Sequence, residues 1–283
     1  MEEDVRPLIS PAVVAALLKR HGLSPRRRQG QNFLIDGNIL NKILAAADLD
    51  PDDEVLEIGA GLGTLSAELC RRVRRVTAVE WDRGFVAILN DLARVLPNLR
   101  VVPGDVLKMD LPGLFSDRAK LVANLPYSAA GTIFFRLLSD DPRPRLEVCM
   151  VQKEMAERIA SPPGGRRYGI LSVLAQARAR PEILFRVKPT CFYPPPRVDS
   201  AVIRLRTTER PEGFAAFVSV VKTAFNQRRK ILKNSLAGLT AVGYTEQGIM
   251  EAAAAAEIDL GQRAENLSAD DFLRFANALP VRS

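Results

Sequence analysis

The chain of 283 residues has one histidine, one tryptophan and three cysteines, and aromatic residues make up only 6% of it. Each scarcity removes a class of chemistry. With His21 alone there is no multi-histidine metal site, and a Ser-His-Asp triad would have to be built on that one ring. His21 follows Lys19-Arg20 and precedes Gly22, at the end of a stretch that opens with Ser10-Pro11, so it reads as the end of a short helix. Cys70, Cys149 and Cys191 are odd in number and far apart, which fits neither a disulfide framework nor a ligand set. A reducing, cytoplasmic setting is expected. No apolar run reaches the roughly 20 residues that cross a bilayer, and no leader pattern opens the chain, so no membrane partner is expected.

What is present points elsewhere. An apolar content of 47% supports one substantial core with a smaller second unit. Forty Lys+Arg against 33 Asp+Glu give a net charge of +7, which favours an anionic partner, most simply nucleic acid. An arginine-rich solvated surface is the alternative. The charge is sorted along the chain: residues 204–233 hold eight basic and two acidic side chains, and residues 234–283 hold three and seven. The first of these stretches is therefore where a phosphate backbone would be met.

From residue 54 the pattern alternates. Strands are expected at 54–59, 75–82, 99–106, 120–126 and 146–152, with helices at 64–74, 84–96, 129–138 and 153–160. That order predicts an α/β fold with a parallel sheet covered on both faces. Later strands at 182–187 and 198–206 can join an edge of the same sheet. The polar stretch "TTERPEG" (207–213) marks a boundary, giving domains 1–207 and 208–283. Beyond it, Phe214, Phe217, Val221 and Ala224 form one apolar helix face. Lys222, Asn226, Arg229 and Lys233 fall opposite, and Arg228 lands on the apolar side, to snorkel or to reach a phosphate.

"EIGAGLGTL" (57–65) places Gly59, Gly61 and Gly63 between a strand and a helix, where the backbone turns tightly and a ligand can approach without a Cβ in the way. Glu80 ends the next strand, 21 residues after Gly59, where a carboxylate accepts ribose hydroxyl protons. Asp105 ends the third strand, within reach of an exocyclic amine. The dinucleotide fingerprint needs glycine or alanine at position 64, which here is Thr64, so nicotinamide dinucleotide binding is the runner-up. The G-x-G-x-G turn resembles that of Rossmann-like methyltransferases that use S-adenosylmethionine.

"NLPY" (124–127) closes the fourth strand on that same edge. The Asn124 side-chain oxygen and a backbone carbonyl of Leu125–Pro126 can each take one N–H of an adenine amino group, drawing its lone pair out of conjugation. Pro126 stiffens the turn, and Tyr127 offers a ring on which an extruded base can stack. No general base is needed. The plainer reading is a strand-end turn with a buried tyrosine.

"GQNFLID", "EIGAGLG", "VEWD", "GDVL", "NLPY", "MVQKEMAERI", "YGILSV", "FYPPPRVDSAVIRL", "AFNQRRKILKNSL" and "RAENLS" occur in this order between residues 30 and 268. The set resembles the ribosomal RNA adenine N6,N6-dimethyltransferase family, in its bacterial small-subunit (KsgA-like) branch. The last two motifs favour that branch over the large-subunit methyltransferases. The resemblance implies a Rossmann-like S-adenosylmethionine-dependent methyltransferase sheet with a small C-terminal helical domain. Asn32, Leu34, Gly59, Gly61, Glu80, Asp105 and Asn124 would bind the donor, Asn124, Leu125, Pro126 and Tyr127 would grip the acceptor adenine, and Phe192 would stack on its other face. Arg228, Arg229, Lys230 and Lys233 are the candidate RNA contacts.

The implied reaction dimethylates N6 of two neighbouring adenosines in a 3′-end hairpin of small-subunit RNA within a ribosome precursor, by a monomer and without a metal. Gln29, Ala60, Trp81 and the segment Ser128–Thr132 depart from the family pattern and bear on donor affinity and substrate placement. The alternatives are an assembly factor that mainly binds RNA, a large-subunit RNA adenine methyltransferase, and a DNA adenine methyltransferase.

Overall fold

A computed structural model describes residues 8–24, 31–116, 118–227 and 229–280. Helix α1 (Pro11–Arg20) starts where the Ser10 hydroxyl accepts from the Val13 N–H at 3.3 Å, and it ends at His21. Then come β1 (Phe33–Leu34), α2 (Gly37–Ala46), β2 (Glu54–Ile58), α3 (Thr64–Cys70), β3 (Arg75–Glu80), α4 (Arg83–Ala93) and β4 (Leu99–Pro103). The chain continues through β5 (Lys120–Asn124), α5 (Ala130–Ser139), β6 (Leu146–Gln152), α6 (Lys153–Ile159), α7 (Ile170–Arg178), β7 (Ala179–Val187), β8 (Phe192–Tyr193) and β9 (Ser200–Thr207). Last are α8 (Phe214–Asn226), α9 (Leu232–Leu236), α10 (Glu246–Ala255) and α11 (Ala269–Ala278).

Seven strands make one sheet in the order β4-β3-β2-β5-β6-β9-β7. The pairs from β4 to β6 are parallel, and β9 runs antiparallel to β6. The apolar runs of β5 and β6 are the reason these strands lie centrally. Leu121, Val122, Ala123, Val148, Cys149 and Met150 are all buried, and each large apolar side chain so placed contributes about 1.5–3 kcal/mol. The start of β5 is fixed by Lys120, whose ammonium pairs with Asp53 at 2.7 Å, while Arg145 contacts the same carboxylate. Burial alone would raise the Asp53 carboxyl, but hydrogen bonds from Lys120 and the Asp50 N–H hold it below the usual range. β9 lies beside β6, not at the outer edge, which β7 occupies. A two-stranded antiparallel sheet joins β1 to β8, pairing Leu34 with Phe192 and Phe33 with Tyr193.

The chain forms two compact units, Met1–Ala156 with Glu182–Thr207, and Glu157–Pro181 with Thr208–Ser283. In the second, Phe214, Phe217, Val221 and Ala224 are buried on one face of α8. Phe225 has its ring 6.1 Å from Tyr168 and 5.9 Å from Phe272. The continuous helix expected through Arg229 and Lys233 is not formed, because α8 stops at Asn226. The following backbone bonds a distant segment instead. The Leu232 N–H donates to Gln262 O at 2.7 Å, the Lys233 N–H donates to Leu260 O at 2.9 Å, and Ile231 bridges Arg263. These long-range bonds override the helical period.

Candidate active site

In this strand order the sheet grows from β2 through β3 to β4, then returns to β5 on the other side of β2. The crevice beyond the C-terminal ends of β2 and β5 is thus a topological switch point, where open α/β sheets bind ligands. Leu56 pairs with Leu121, and beyond that pair the strand ends stay adjacent: a Cβ at Gly59 would lie 3.9 Å from the Asn124 carbonyl oxygen. Gly59 and Gly61 have φ of 73° and 57°, a region that L side chains avoid. A Cβ at Gly59 would lie 3.1 Å from Pro126 Cδ. A side chain at position 59 would therefore crowd the proline of "NLPY", against which the glycine turn packs.

Asn32, Leu34, Gly59, Gly61, Glu80 and residues 124–127 line one cleft. Glu80 ends β3 with its carboxylate almost fully buried. Its Oε2 accepts from the Gly61 N–H at 2.8 Å, and its Oε1 accepts from the Trp81 and Asp82 N–H groups, each at 2.9 Å. Burial raises this carboxyl, and those three donors offset part of the rise. Trp81 also lines the cleft and is 54% exposed. Asp105 is not on the cleft wall. It stands beyond β4, where its Oδ1 accepts from the Leu107 N–H at 3.0 Å and its Oδ2 lies 4.0 Å from Lys108 Nζ.

A residue that sequence reasoning missed is Glu57, a carboxyl among the buried Val55, Leu56 and Ile58 of β2 and 2% exposed on the same cleft. The Ser66 hydroxyl donates to it at 2.5 Å. Burial pushes the carboxyl up to about 8, and the neighbouring Glu80 charge acts in the same direction. The signal available was the glutamate at an inward position of "EVLEIG".

Asn124 Nδ2 donates to the Asn32 carbonyl at 3.1 Å, so the amide's donor end is committed to the loop before β1 and Oδ1 is its acceptor end toward the cleft. The Leu125 N–H bonds Met150 O at 3.1 Å. Pro126 O accepts from the Ala129 and Ala130 N–H groups, each at 3.0 Å, at the start of α5. Of the two carbonyls in Leu125–Pro126, the one not committed to α5 is Leu125 O. Tyr127 shares a hydrogen bond with Ser200 through its hydroxyl, and burial raises its pKa. Phe192 is not on the cleft wall. It is 2% exposed and belongs to the apolar cluster that includes Leu34, Leu40 and Leu44.

Arg229, Lys230 and Lys233 are exposed in the turn and short helix after α8, and Arg228 lies outside the described residues. The pairing of Ile231 with Arg263 places a further exposed arginine beside them, which a reading along the chain did not anticipate.

The profile of the family described as "Ribosomal RNA adenine dimethylase" matches residues 22–280. Among curated proteins, the "Ribosomal RNA small subunit methyltransferase A" of Pelotomaculum thermopropionicum is 43% identical over 95% of this chain and 96% of its own. Among solved structures, a dimethyladenosine transferase from Plasmodium falciparum superposes with a TM-score of 0.73 at 25% identity, over 86% of this chain and 95% of that one. The 23S rRNA methyltransferase ErmE gives a TM-score of 0.64 at 27% identity, over 88% and 99%.

Proposed function

The chain belongs to the ribosomal RNA adenine dimethylase family, and from that premise we propose which residues carry the reaction and on which RNA. It is an enzyme, an S-adenosylmethionine-dependent ribosomal RNA adenine dimethyltransferase with a Rossmann-like sheet and a C-terminal helical region. The cleft suits that donor: its glycine turn packs against Pro126 with no side chain between, and a buried carboxylate at Glu80 is aimed by three backbone N–H groups. When bound, S-adenosylmethionine supplies an electrophilic methyl group. Glu80 would hold its ribose hydroxyls, with Asn32, Leu34 and the glycine turn closing around it. Asp105 would meet its adenine from beyond β4.

The side chains then act on the acceptor. Asn124 Oδ1 and Leu125 O each accept a hydrogen bond from the adenine amino group, which localises the lone pair on N6, and the proton shed as each methyl adds passes to solvent. Tyr127 supplies the stacking face, worth roughly 1–3 kcal/mol per base. The observation that carries this is the Asn124 to Asn32 bond, because it fixes which end of the amide faces the cleft. Phe192, packed with Leu34 in the apolar cluster, would support the base's other side from behind the cleft lining.

Arg229, Lys230 and Lys233 would bind phosphates of small-subunit RNA, with Arg228 of the same run. The substrate is two adjacent adenosines in a 3′-end hairpin of the precursor subunit. The enzyme acts as a monomer in the cytoplasm, and no described helix is long and apolar enough to cross a membrane. The test is transfer of labelled methyl to purified precursor subunits of each size. Label confined to the small-subunit RNA is the expected result, and label in the large-subunit RNA would move the protein to another branch of the family.

A further inference from the structure

Ser200 is fully buried and opens β9, paired with Gln152 at the end of β6. Because β9 runs antiparallel to β6, its first residue lies at the sheet edge where β5 and β6 finish. Tyr127, in the turn after β5, shares its hydroxyl hydrogen bond with Ser200 Oγ across the end of β6. Residues 73 apart in the chain are thereby tied together. The tie joins the cleft turn to the strand that follows "FYPPPRVD", whose first two residues pair with β1. A tyrosine side chain has few rotamers, and a bond at its far end fixes the direction of the axis from Cβ to the hydroxyl, along which the ring lies.

We propose that Ser200 is a positioning residue for methyl transfer, its hydroxyl setting the direction of the Tyr127 ring that faces the cleft. The inference rests on the reading of Tyr127 as the base platform. Stacking tolerates any base but not a tilted platform, since transfer requires N6 held in line with the methyl group. Phosphate contacts carry most of the RNA affinity. Loss of Ser200's hydroxyl therefore acts on kcat more than on KM for RNA, and leaves donor affinity unchanged.

The experiment compares Ser200→Ala, Tyr127→Phe, the double variant and Tyr127→Ala with the parent, using precursor small subunits at saturating donor. Tyr127→Phe leaves the fully buried Ser200 hydroxyl, and Ser200→Ala the partly buried Tyr127 hydroxyl, without its partner, so both lower the melting temperature. Removing both groups restores it. Each single variant is expected to lose about 10- to 100-fold in kcat. The double variant is expected to keep that deficit while recovering its melting temperature. A merely structural Ser200 would give recovery of both together, and that outcome overturns the proposal. So does a wild-type kcat in Ser200→Ala while Tyr127→Ala is inactive. Wild-type transfer by Tyr127→Ala would instead remove the platform reading itself, and this proposal with it.

Discussion

Glu57→Gln is expected to change how stability depends on pH, by an amount that follows from the geometry. The carboxyl is 2% exposed beneath the cleft, and burial, reinforced by the charge of Glu80, pushes it from 4.5 up to about 8. Below 4.5 both the folded and unfolded chains hold the proton. Between 4.5 and about 8 the folded chain keeps a proton that the unfolded chain has lost. A folded pKa raised in this way gives stability that is fully present below the unfolded value and is lost as pH rises through the folded one. Each pH unit of the window removes about 1.36 kcal/mol, so the whole window amounts to roughly 5 kcal/mol, a large share of an ordinary domain's stability. Glutamine keeps a partner for Ser66 and does not titrate. Urea denaturation across the window should show a shallower decline for Glu57→Gln than for the parent. Glu80, also raised by burial, leaves a residual slope of the same sign in both proteins. Asp53 has a lowered pKa, so its stability is lost only as pH falls below 3.8, outside the window. Equal slopes for parent and Glu57→Gln would refute the reasoning.

Glu80→Ala is expected to weaken donor binding by roughly 1.5–3 kcal/mol, the worth of hydrogen bonds to a charged group, with RNA binding retained. Calorimetry with S-adenosylmethionine checks this, and unchanged affinity would take Glu80 out of the donor site. Replacing Arg229, Lys230 and Lys233 together with Ala should lower the slope of log affinity for ribosomal particles against log salt by roughly 2. The same slope would make that turn a solvated surface. Phe192→Ala is expected to cost about 3–5 kcal/mol of stability, as removal of a buried aromatic does. An unchanged melting temperature with lost transfer would place the ring on the base and not in the core.

The sequence made most of the cleft visible because its parts are local. A strand, a glycine turn and a carboxylate at the next strand end are contiguous patterns, and "NLPY" is four consecutive residues. The contacts that join these parts are not local. Asn124 to Asn32, Tyr127 to Ser200 and the pairing of Leu34 with Phe192 link segments far apart, and no period or spacing encodes them. Phe192 shows the same limit: an aromatic before three prolines looks like a platform, yet pairing of its strand with β1 carries the ring into the apolar cluster. By its period the basic stretch reads as one helical face, while tertiary hydrogen bonds follow the end of α8 at Asn226 and pair the next residues with the segment around Arg263. Glu57 carries little signal along the chain because its significance comes from burial beside a second carboxylate, which only the folded sheet creates.

Mass mapping of small-subunit RNA, after precursor particles are incubated with labelled donor and either the parent or Asn124→Ala, tests the central claim most directly. The parent is expected to leave N6,N6-dimethyladenosine at two adjacent positions in one hairpin. Asn124→Ala, lacking the side-chain acceptor for the amino group, is expected to bind the particles through its phosphate contacts and to leave those adenosines unmodified. Near-normal dimethylation by Asn124→Ala, or no methylated adenosine with the parent, would contradict the account.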